Sequence, residues 1–526
     1  MNEPVKIFLY YNTLRYLKLG QLWYQLWYKI RKRYRILTAF KYNLNLTAPV
    51  AQNTGFRNFI LNPASYSGSN CFTFLNLTNS FGEKIDWEFS QFGKLWNYYL
   101  SYFEYLNQDV IELKEVHWQK KLIDDFIEQL PSLENANEPF PTSLRIINWV
   151  KYFTANNLTE NQKWNNSLYA QLYILLDQLE YHLLGNHLLE NGFALTIGGT
   201  YFKDEKLLSK GFSILKHQLK EQILEDGAHF ELSPMYHCLM LYRLLDGIQY
   251  LESETKQQYQ KETTWLRKYA GKMLSWLRNM KYADHSLPNF NDSVAEIAPV
   301  ANTLLEYGQF LGIETTKLPL GVSGYRRYQH LIFDFLIKGG SIGPDYIPGH
   351  AHADSFTFEC RVNNRPFIVD TGISTYEKNA TRQLQRSTQS HNTVVINQIN
   401  SSEVWGGFRV AKRANSKILL DEGSTLKLVH DGYGKPVYRD LEIHSDSISI
   451  IEKVTGTAEL FLHFHPDISP VLNGGELRCG NVVILFKGAG AITVFDYDYC
   501  LGFNKTIGAK KVRVGFENNL ETIIKT

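Results

Sequence analysis

The chain has 526 residues, with 55 Lys and Arg against 53 Asp and Glu, so its formal net charge is only +2. This length exceeds one typical domain and predicts two to three domains. Charge so evenly balanced does not indicate a nucleic-acid partner. Hydrophobic residues make up 44% of the chain, which is enough for sizeable cores. No stretch approaches the roughly 18 apolar residues that a transmembrane helix needs, so we expect no transmembrane segment.

The cysteines do not indicate a disulfide framework or a thiolate metal site. They are odd in number, widely spaced and contain no CxxC pair, so we expect ordinary buried thiols. The N-terminus lacks the basic, apolar and small-residue order of a secretory signal. We therefore predict a cytoplasmic protein, with the periplasm as the alternative. The five cysteines are Cys71, Cys238, Cys360, Cys479 and Cys500.

The first 40 residues contain an aromatic and basic segment, QLWYQLWYKIRKRYR, beginning at Gln21. Trp23 and Trp27 are four residues apart and would share one face of a helix. A basic amphipathic helix can lie on an anionic membrane or bind a polyanion. We instead expect this one to pack on the protein and to expose its basic face to solvent.

The remaining pattern predicts a helical domain followed by a β domain. Residues 41–85 are broken by Pro, Gly, Asn and Ser and indicate loops and short strands. From about residue 87 to 320, apolar residues recur at helical spacing, with predicted helices at 168–190, 206–226, 233–252 and 257–280. Many successive helices with short loops indicate an all-α solenoid or closed toroid. Beyond about 320, short alternating segments separated by turn residues predict an antiparallel sandwich.

The first chemical candidate lies near the front of the predicted β domain, in GHAHADSFTFECRVNNRPFIVDTG. His350 and His352 are two apart and would share one side of an extended segment. A strand predicted at 355–361, a turn at Asn363-Asn364 and a second strand would bring Asp370 near them. His391 would then arrive from the following loop. Imidazole and carboxylate groups are ligands that suit zinc or a comparable divalent ion.

The second candidate lies in the helical half. GNHLLEN begins at Gly185, and its Asn186 and Glu190 lie four residues apart, on one helical face. In the later run DGAHFELSPMYH, Ser233 is a predicted N-cap and Pro234 the first helical residue, which fixes Tyr236 in the first turn. These residue types suit proton removal alpha to a uronic carboxylate. Asn or His would stabilise the developing charge, and Tyr or His would move the proton.

These motifs, together with VDTG and RSTQSHNTV, resemble the heparinase II/III-type polysaccharide lyases. Two earlier runs, DWEFSQFGKLWNYYLSYFEYL and PFPTSLRIINWV, resemble the N-terminal half of that family. The resemblance covers roughly residues 80–410. It implies an α/α toroid followed by an antiparallel β-sandwich. We accordingly predict an N-terminal segment packing on the toroid at 1–80, the toroid at 81–320 and the sandwich, with its metal site, at 321–526.

The resemblance also implies roles for individual residues. Asn186 and His187 would neutralise the uronate carboxylate, Tyr236 would be the main base and acid, and His350 its partner. The implied metal ligands organise the site around zinc, with manganese and calcium as alternatives; they are His352, Asp370 and His391. The implied substrate contacts are Glu190, Asn191, Glu231, Arg386 and Trp405.

The function implied by the resemblance is β-elimination of uronate-containing glycosaminoglycans, namely hyaluronan, chondroitin, heparosan or heparan sulfate, and in some members alginate. The expected partner is therefore an acidic polysaccharide. Three alternatives stay open: a lyase for a bacterial exopolysaccharide, a glycoside hydrolase on the same toroid, and a non-catalytic polysaccharide-binding protein. A hydrolase would need two carboxylates across the scissile bond, and no such pair stands out in the sequence.

Overall fold

The computed structural model describes residues 3–52, 55–109, 118–254, 258–315 and 317–526. Its first part is mainly helical, as the apolar spacing predicts. The α-helices are α1 (Glu3–Leu14), α2 (Leu19–Leu37), α3 (Lys94–Tyr102), α4 (Trp118–Gln129), α5 (Pro139–Ala155), α6 (Gln162–Asp177), α7 (Gly185–Phe202), α8 (Glu205–Gln222), α9 (Pro234–Glu254), α10 (Gln260–Met280), α11 (Ala301–Phe310) and α12 (Ala380–Gln385).

The centre of the helical half is α7, which packs against α5, α6, α8 and α9. Close contact between α7 and α8 depends on glycine. A Cβ on Gly199 would lie 2.9 Å from the Leu208 nitrogen, and one on Gly211 would lie 2.8 Å from the Thr196 nitrogen. Because both obstacles are backbone atoms, any larger residue would push the two helices apart. The shared core is rich in aromatic and leucine side chains.

The predicted helix at 168–190 is wrong, because the chain breaks there into α6 and α7. Asp177 ends α6, and α7 begins only at Gly185. Leu184 and Gly185 both have left-handed backbone conformations, with φ of 65° and 58°. A continuous helix cannot pass through two such residues. The reversal places the first turn of α7 at the surface of the helical array.

The β half is antiparallel throughout its paired strands. One sheet has the order β10-β11-β12-β13-β17-β16-β15-β14, with β7 on β13, and a second has the order β3-β4-β5-β6. The strands are β1 (Cys71–Phe74), β2 (Leu77–Ser80), β3 (Tyr325–Gln329), β4 (Phe333–Lys338), β5 (Phe358–Val362), β6 (Arg365–Ile368), β7 (Val394–Val395), β8 (Val404–Trp405), β9 (Arg409–Val410), β10 (Ser416–Glu422), β11 (Thr425–His430), β12 (Val437–Ile443), β13 (Ser447–His463), β14 (Val471–Asn473), β15 (Glu476–Cys479), β16 (Val482–Gly502) and β17 (Lys505–Lys525).

The two larger sheets share one apolar core. Phe335 on β4 and Phe358 on β5 belong to the same buried cluster as Leu428 on β11 and Val512 on β17. This is the sandwich arrangement, in which inward-facing residues of both sheets interdigitate. The predicted turn at Asn363-Asn364 is present with φ of 52° and 63°, which suits a tight hairpin. None of the described helices is long and apolar enough to cross a membrane.

Candidate active site

A cleft of about 870 Å³ lies where the N-terminal helices, the helical array and the β half meet. All four predicted catalytic residues, Asn186, His187, Tyr236 and His350, lie on its wall. They come from three separate parts of the chain, so the fold alone brings them together. A cleft of this size at a domain junction is a typical location for a ligand site.

Asn186 and His187 form the first turn of α7. The Asn186 side chain has no hydrogen bond to another described residue, which leaves its amide available to the cleft. The Nδ1 atom of His187 lies 2.9 Å from Glu180 Oε1. Burial alone would lower the pKa of His187, but the charge and hydrogen bond of Glu180 outweigh it and raise the pKa above its usual value. A protonated His187 beside a free amide is suited to binding a carboxylate.

Tyr236 is held by the predicted helix start. Its backbone nitrogen donates to Ser233 Oγ at 3.2 Å, and Pro234 is the first residue of α9. The Tyr236 ring stacks on His350 with centroids 3.8 Å apart, and its hydroxyl lies 3.2 Å from that of Tyr376. Burial raises the pKa of Tyr236 well above its usual value. Before any substrate binds, the Tyr236 side chain is therefore a neutral phenol in contact with the His350 imidazole.

His350 is oriented by carboxylates at both ring nitrogens. Its Nδ1 lies 2.8 Å from Asp292 Oδ2, and its Nε2 lies 3.4 Å from Glu231 Oε2. Asp292 also accepts from Arg382 Nη2 at 2.7 Å. Burial would raise the pKa of Asp292, but Arg382 and the hydrogen bonds from histidine hold it well below its usual range. The ionised Asp292 therefore fixes the plane of the His350 ring.

Three residues that we predicted as substrate contacts instead lie behind the cleft wall. Glu190 is buried and faces Arg243, with Oε1 3.3 Å from Nε. Asn191 is buried and donates to Glu180 Oε2 at 3.0 Å. Glu231 is buried and contacts His350 and the Asn186 backbone. Glu190 and Asn191 follow the expected helical pattern, and Glu231 lies in the turn before α9. All three lie deeper in the protein and contact other side chains there.

Two further predicted substrate contacts are not among the described residues that line the cleft, namely Arg386 and Trp405. Arg386 is buried, and its Nη2 donates to the Ala351 carbonyl at 2.8 Å, between His350 and His352. Trp405 donates through Nε1 to Thr13 Oγ1 at 3.1 Å and packs edge-on against Tyr10. Arg386 therefore supports the histidine segment, and Trp405 anchors α1 to the β half.

Several residues of the site carry no recognisable signal in the sequence. Asp292 and Glu180 lie in loops between helices, and a single acidic residue in a loop matches no sequence motif. Tyr376 lies in the loop after the VDTG run, among many other tyrosines. The N-terminal helices also line the cleft, through Tyr10 and Gln21 among others. The cleft wall further includes charged residues that no pattern indicated; they are Lys94, Asp345, Glu377, Lys378, Arg409 and Arg413.

The predicted metal ligands lie close together. His352 and His391 have ring centroids 5.2 Å apart. Asp292 Oδ1 engages Nε2 of His352 at 2.8 Å, and Asp370 Oδ2 engages Nδ1 of His391 at 2.8 Å. The opposite nitrogens, His352 Nδ1 and His391 Nε2, are buried without a hydrogen-bond partner. Carboxylates behind two imidazoles, with the other nitrogens unpaired, fit the surroundings of metal-binding histidines.

Asp370 does not complete that set in this structure. Its Oδ2 also accepts from Thr357 Oγ1 at 3.1 Å. Within the described parts of the chain, no group of three His, Cys, Asp or Glu side chains has the arrangement of a metal site. The metal site therefore stays a prediction, and the two unpaired imidazole nitrogens are the observation in its favour.

The fold is that of known polysaccharide lyases. A crystal structure of heparinase III superposes with a TM-score of 0.62 at 17% identity, covering 85% of this chain and 80% of that one. The heparan sulfate lyase HepC from Pedobacter heparinus superposes with a TM-score of 0.53 at 17% identity, covering 87% of this chain and 81% of that one. Chondroitin AC lyase from Streptomyces coelicolor A3 superposes with a TM-score of 0.50 at 9% identity, covering 82% of this chain and 74% of that one. The predicted α/α toroid followed by an antiparallel β-sandwich is confirmed.

The chain belongs to the heparinase II/III family. The model of the heparinase II/III N-terminus matches residues 27–311, and that of the heparinase II/III-like C-terminal domain matches 315–505. The heparin-sulfate lyase of Bacteroides thetaiotaomicron is 22% identical over 72% of this chain and 56% of its own length. The heparin-sulfate lyase of Bacteroides stercoris is 22% identical over 56% of this chain and 48% of its own length. The chain thus spans about half the length of the curated relatives it matches.

Proposed function

We propose that this protein is a polysaccharide lyase that cleaves uronate-containing glycosaminoglycans by β-elimination. The observation that carries the proposal is the meeting of Asn186, His187, Tyr236 and His350 on one cleft wall. Family membership and the heparin-sulfate lyases among the relatives support the same reaction class.

In this reaction a proton leaves C5 of the uronate, and the bond from C4 to the glycosidic oxygen breaks. Negative charge develops on the carboxylate as the C5 proton departs. Asn186 and the protonated His187 would bind that carboxylate and stabilise the charge. Glu180 supports this role because it raises the pKa of His187 and orients its ring.

Tyr236 would move the proton, with His350 as its partner. Tyr236 would pass its phenol proton to His350, and the resulting phenolate would take the C5 proton and deliver it to the departing oxygen. His350 would then return its proton to Tyr236. Because the pKa of Tyr236 is raised, its phenol readily holds a proton for the departing oxygen. For the same reason, forming the phenolate that removes the C5 proton needs help from neighbouring groups. His350 at stacking distance and the Tyr376 hydroxyl are the groups in position to give that help.

A divalent metal, with zinc as the expected ion, would be held by the unpaired nitrogens of His352 and His391. Asp370, which here bonds the opposite nitrogen of His391, would have to move to join them as the third ligand. When bound, the metal would organise the segment that carries His350, since His352 is only two residues away. The elimination itself is assigned to Asn186, His187, Tyr236 and His350. Manganese or calcium would prefer more oxygen ligands than these residues offer.

The charge of the cleft favours a uronate chain with few sulfates. Lys94 is paired with Glu138 at 2.7 Å, and Arg413 with Asp345 at 3.0 Å. Among the lysines and arginines that line the described cleft, Lys378 and Arg409 are left without an ion pair. Two unpaired cations suit heparosan, hyaluronan or sparsely sulfated heparan sulfate better than a densely sulfated chain.

A hydrolase is less well supported. Three buried carboxylates near the site are already engaged and do not line the cleft: Asp226 bonds to Ser323, Asp354 to Lys338, and Glu190 to Arg243. The acidic residues on the described cleft wall are Asp345 and Glu377. Asp345 is already paired with Arg413, so no free pair is available for acid and base.

The test is ultraviolet absorbance during incubation with separate samples of hyaluronan, chondroitin sulfate, heparosan, heparan sulfate, alginate and densely sulfated heparin. We expect absorbance from an unsaturated uronate to rise on at least one polymer, and more slowly on heparin than on heparosan. New reducing ends without that absorbance would indicate hydrolysis and overturn the proposal. No cleavage of any polymer by metal-loaded protein would favour an exopolysaccharide substrate or a binding role.

A further inference from the structure

The N-terminal helix α2 packs on the toroid through its polar and tyrosine side. Gln21 is buried, and its Nε2 donates to the Leu183 carbonyl at 3.1 Å. The Tyr24 ring stacks on Tyr181 at 4.8 Å, and Arg31 bonds to the Asp177 carbonyl. Because these residues recur at three- and four-residue spacing, they define one face of α2. Lys18, just before the helix, adds an ion pair with Glu221.

The opposite side of α2 is apolar and faces solvent, which reverses the usual arrangement of a surface helix. Trp23 is 63% exposed, Ile30 51% and Tyr34 65%. Their spacing of three, four and seven residues places them on one stripe, about half a turn of the helix away from the face on the toroid. The stripe, here called the outer apolar face, consists of Leu19, Trp23, Leu26, Trp27, Ile30, Tyr34 and Leu37. Our expectation of a packing helix with a solvated basic face is therefore only half right.

The charges of α2 all have one sign. Between Leu19 and Leu37 there are five basic residues and no acidic one. Arg31 and Arg35 are paired with Asp177. Lys29, Lys32 and Arg33 are exposed and have no ion pair with any described residue. Lys29 and Arg33 lie along one edge of the outer apolar face, and Lys32 lies further round the helix from it.

Exposed Trp, Leu and Ile beside unpaired Lys and Arg match the surface that an anionic bilayer would cover. Aromatic and aliphatic side chains enter the boundary between headgroups and acyl chains, and the cations contact the headgroup phosphates. A second copy of this chain fits less well, because a two-fold contact would bring the same basic edges together. A polysaccharide would leave most of the aliphatic side chains in water.

We propose that the outer apolar face of α2, with Lys29 and Arg33 at its edge, docks on an anionic phospholipid bilayer. Helix α1 also exposes apolar side chains, among them Ile7, Phe8 and Tyr11. This surface is distinct from the cleft and does not depend on the lyase reaction. Since α1 and α2 line the cleft with other residues, docking would hold the cleft near the bilayer surface.

The experiment is sedimentation of the full chain with vesicles of phosphatidylcholine alone or of phosphatidylcholine with one-third phosphatidylglycerol. We expect binding to the second kind only, weakening as salt is raised. Vesicles with bromine-labelled acyl chains should quench tryptophan fluorescence, which distinguishes insertion from adsorption. Two variants should each reduce partitioning at least tenfold, Trp23→Ser with Trp27→Ser, and the triple charge reversal of Lys29, Lys32 and Arg33 to Glu.

Matched controls carry three charge reversals, or two changes from an exposed apolar residue to Ser, on the β half. Lys417, Lys427 and Lys435 are exposed and are each changed to Glu, and exposed Leu331 and Leu419 are each changed to Ser. Both controls should bind as the unchanged protein does. All variants should retain the turnover of the unchanged protein on a soluble substrate. The proposal is overturned by absence of vesicle binding, by equal loss in the controls, or by a dimer that Trp23→Ser with Trp27→Ser dissociates.

Discussion

The first and second turns of α7 carry the same kinds of side chain but have different surroundings. Asn186 and His187 in the first turn line the cleft, whereas Glu190 and Asn191, four residues on, do not line it and contact Arg243 and Glu180 instead. Asn186 and Glu190 lie on the same face of α7, so the helical face does not determine which of them reaches the cleft. Their distance from the start of the helix determines it, because α7 begins at the cleft wall and continues into the core. Cleft residues are thus expected to affect catalysis, and the interior ones to affect stability.

The largest effect expected on the cleft side is that of Tyr236→Phe. Removing the hydroxyl that moves the proton should lower kcat by about 10²–10⁴-fold. The free energy of unfolding should hardly change, because the hydroxyl has a single partner, Tyr376. Steady-state absorbance kinetics and chemical denaturation check both statements. Tyr376→Phe is the control and should lose far less activity; normal turnover in Tyr236→Phe would remove Tyr236 from its proposed role.

On the interior side, Glu190→Ala should lower the free energy of unfolding by about 3 kcal/mol. The change removes one of the two carboxylates paired with Arg243 and leaves only Glu104, and a buried charge that loses compensation is costly. Glu190→Gln, which keeps a hydrogen-bond acceptor, should lose clearly less. Urea denaturation gives the free energies, and KM measured on the folded fraction should match that of the unchanged protein. A stable Glu190→Ala with a raised KM would return Glu190 to the substrate contacts.

The predicted metal site is tested by His391→Ala. If His391 is a ligand, the variant should lose bound metal in elemental analysis and melt several degrees lower, because metal binding contributes to folding. His444→Ala is the control, since His444 is a surface histidine with a 58% exposed side chain. A variant with full metal content and an unchanged melting temperature would exclude His391 as a ligand.

The smallest effect is a shift in pH dependence caused by Glu180→Gln. Glu180 raises the pKa of His187, so His187 is protonated below that pKa and loses its charge as pH rises through it. KM for the uronate substrate should therefore increase as pH rises. Without Glu180, burial lowers the pKa, and the increase should begin at a lower pH.

Kinetics across the pH range measure this shift. Glu377→Gln removes a carboxylate of the cleft wall that does not contact His187, and it should leave the pH profile unchanged. An unchanged profile in Glu180→Gln would show that the charge of His187 does not control substrate binding.

Much of the fold and the four cleft residues could be predicted from local patterns. The Ser233-Pro234 helix start fixes Tyr236 through a hydrogen bond between residues three apart. The Asn363-Asn364 turn adopts the left-handed conformations that asparagine tolerates. Such features are set by the backbone and by near neighbours, so a sequence pattern carries them directly.

Long-range partners were not predictable in the same way. Asp292 orients His350 and His352 and pairs with Arg382, ninety residues later. Arg386 and Trp405 have the residue types of substrate contacts, yet one supports the Ala351 backbone and the other holds α1. Their neighbours are decided by how the helical and β halves pack, and no spacing rule encodes that.

The sequence by itself determined the order of helices and strands, the helix start at Pro234 and the residue types for carboxylate binding and proton transfer. These follow from backbone preferences and apolar periodicity, which act over a few residues. The tertiary structure alone decided which polar groups reach the cleft, which lie behind it, and which apolar face of α2 stays in solvent. Those outcomes depend on burial and on contacts between distant segments, which exist only once the chain has folded.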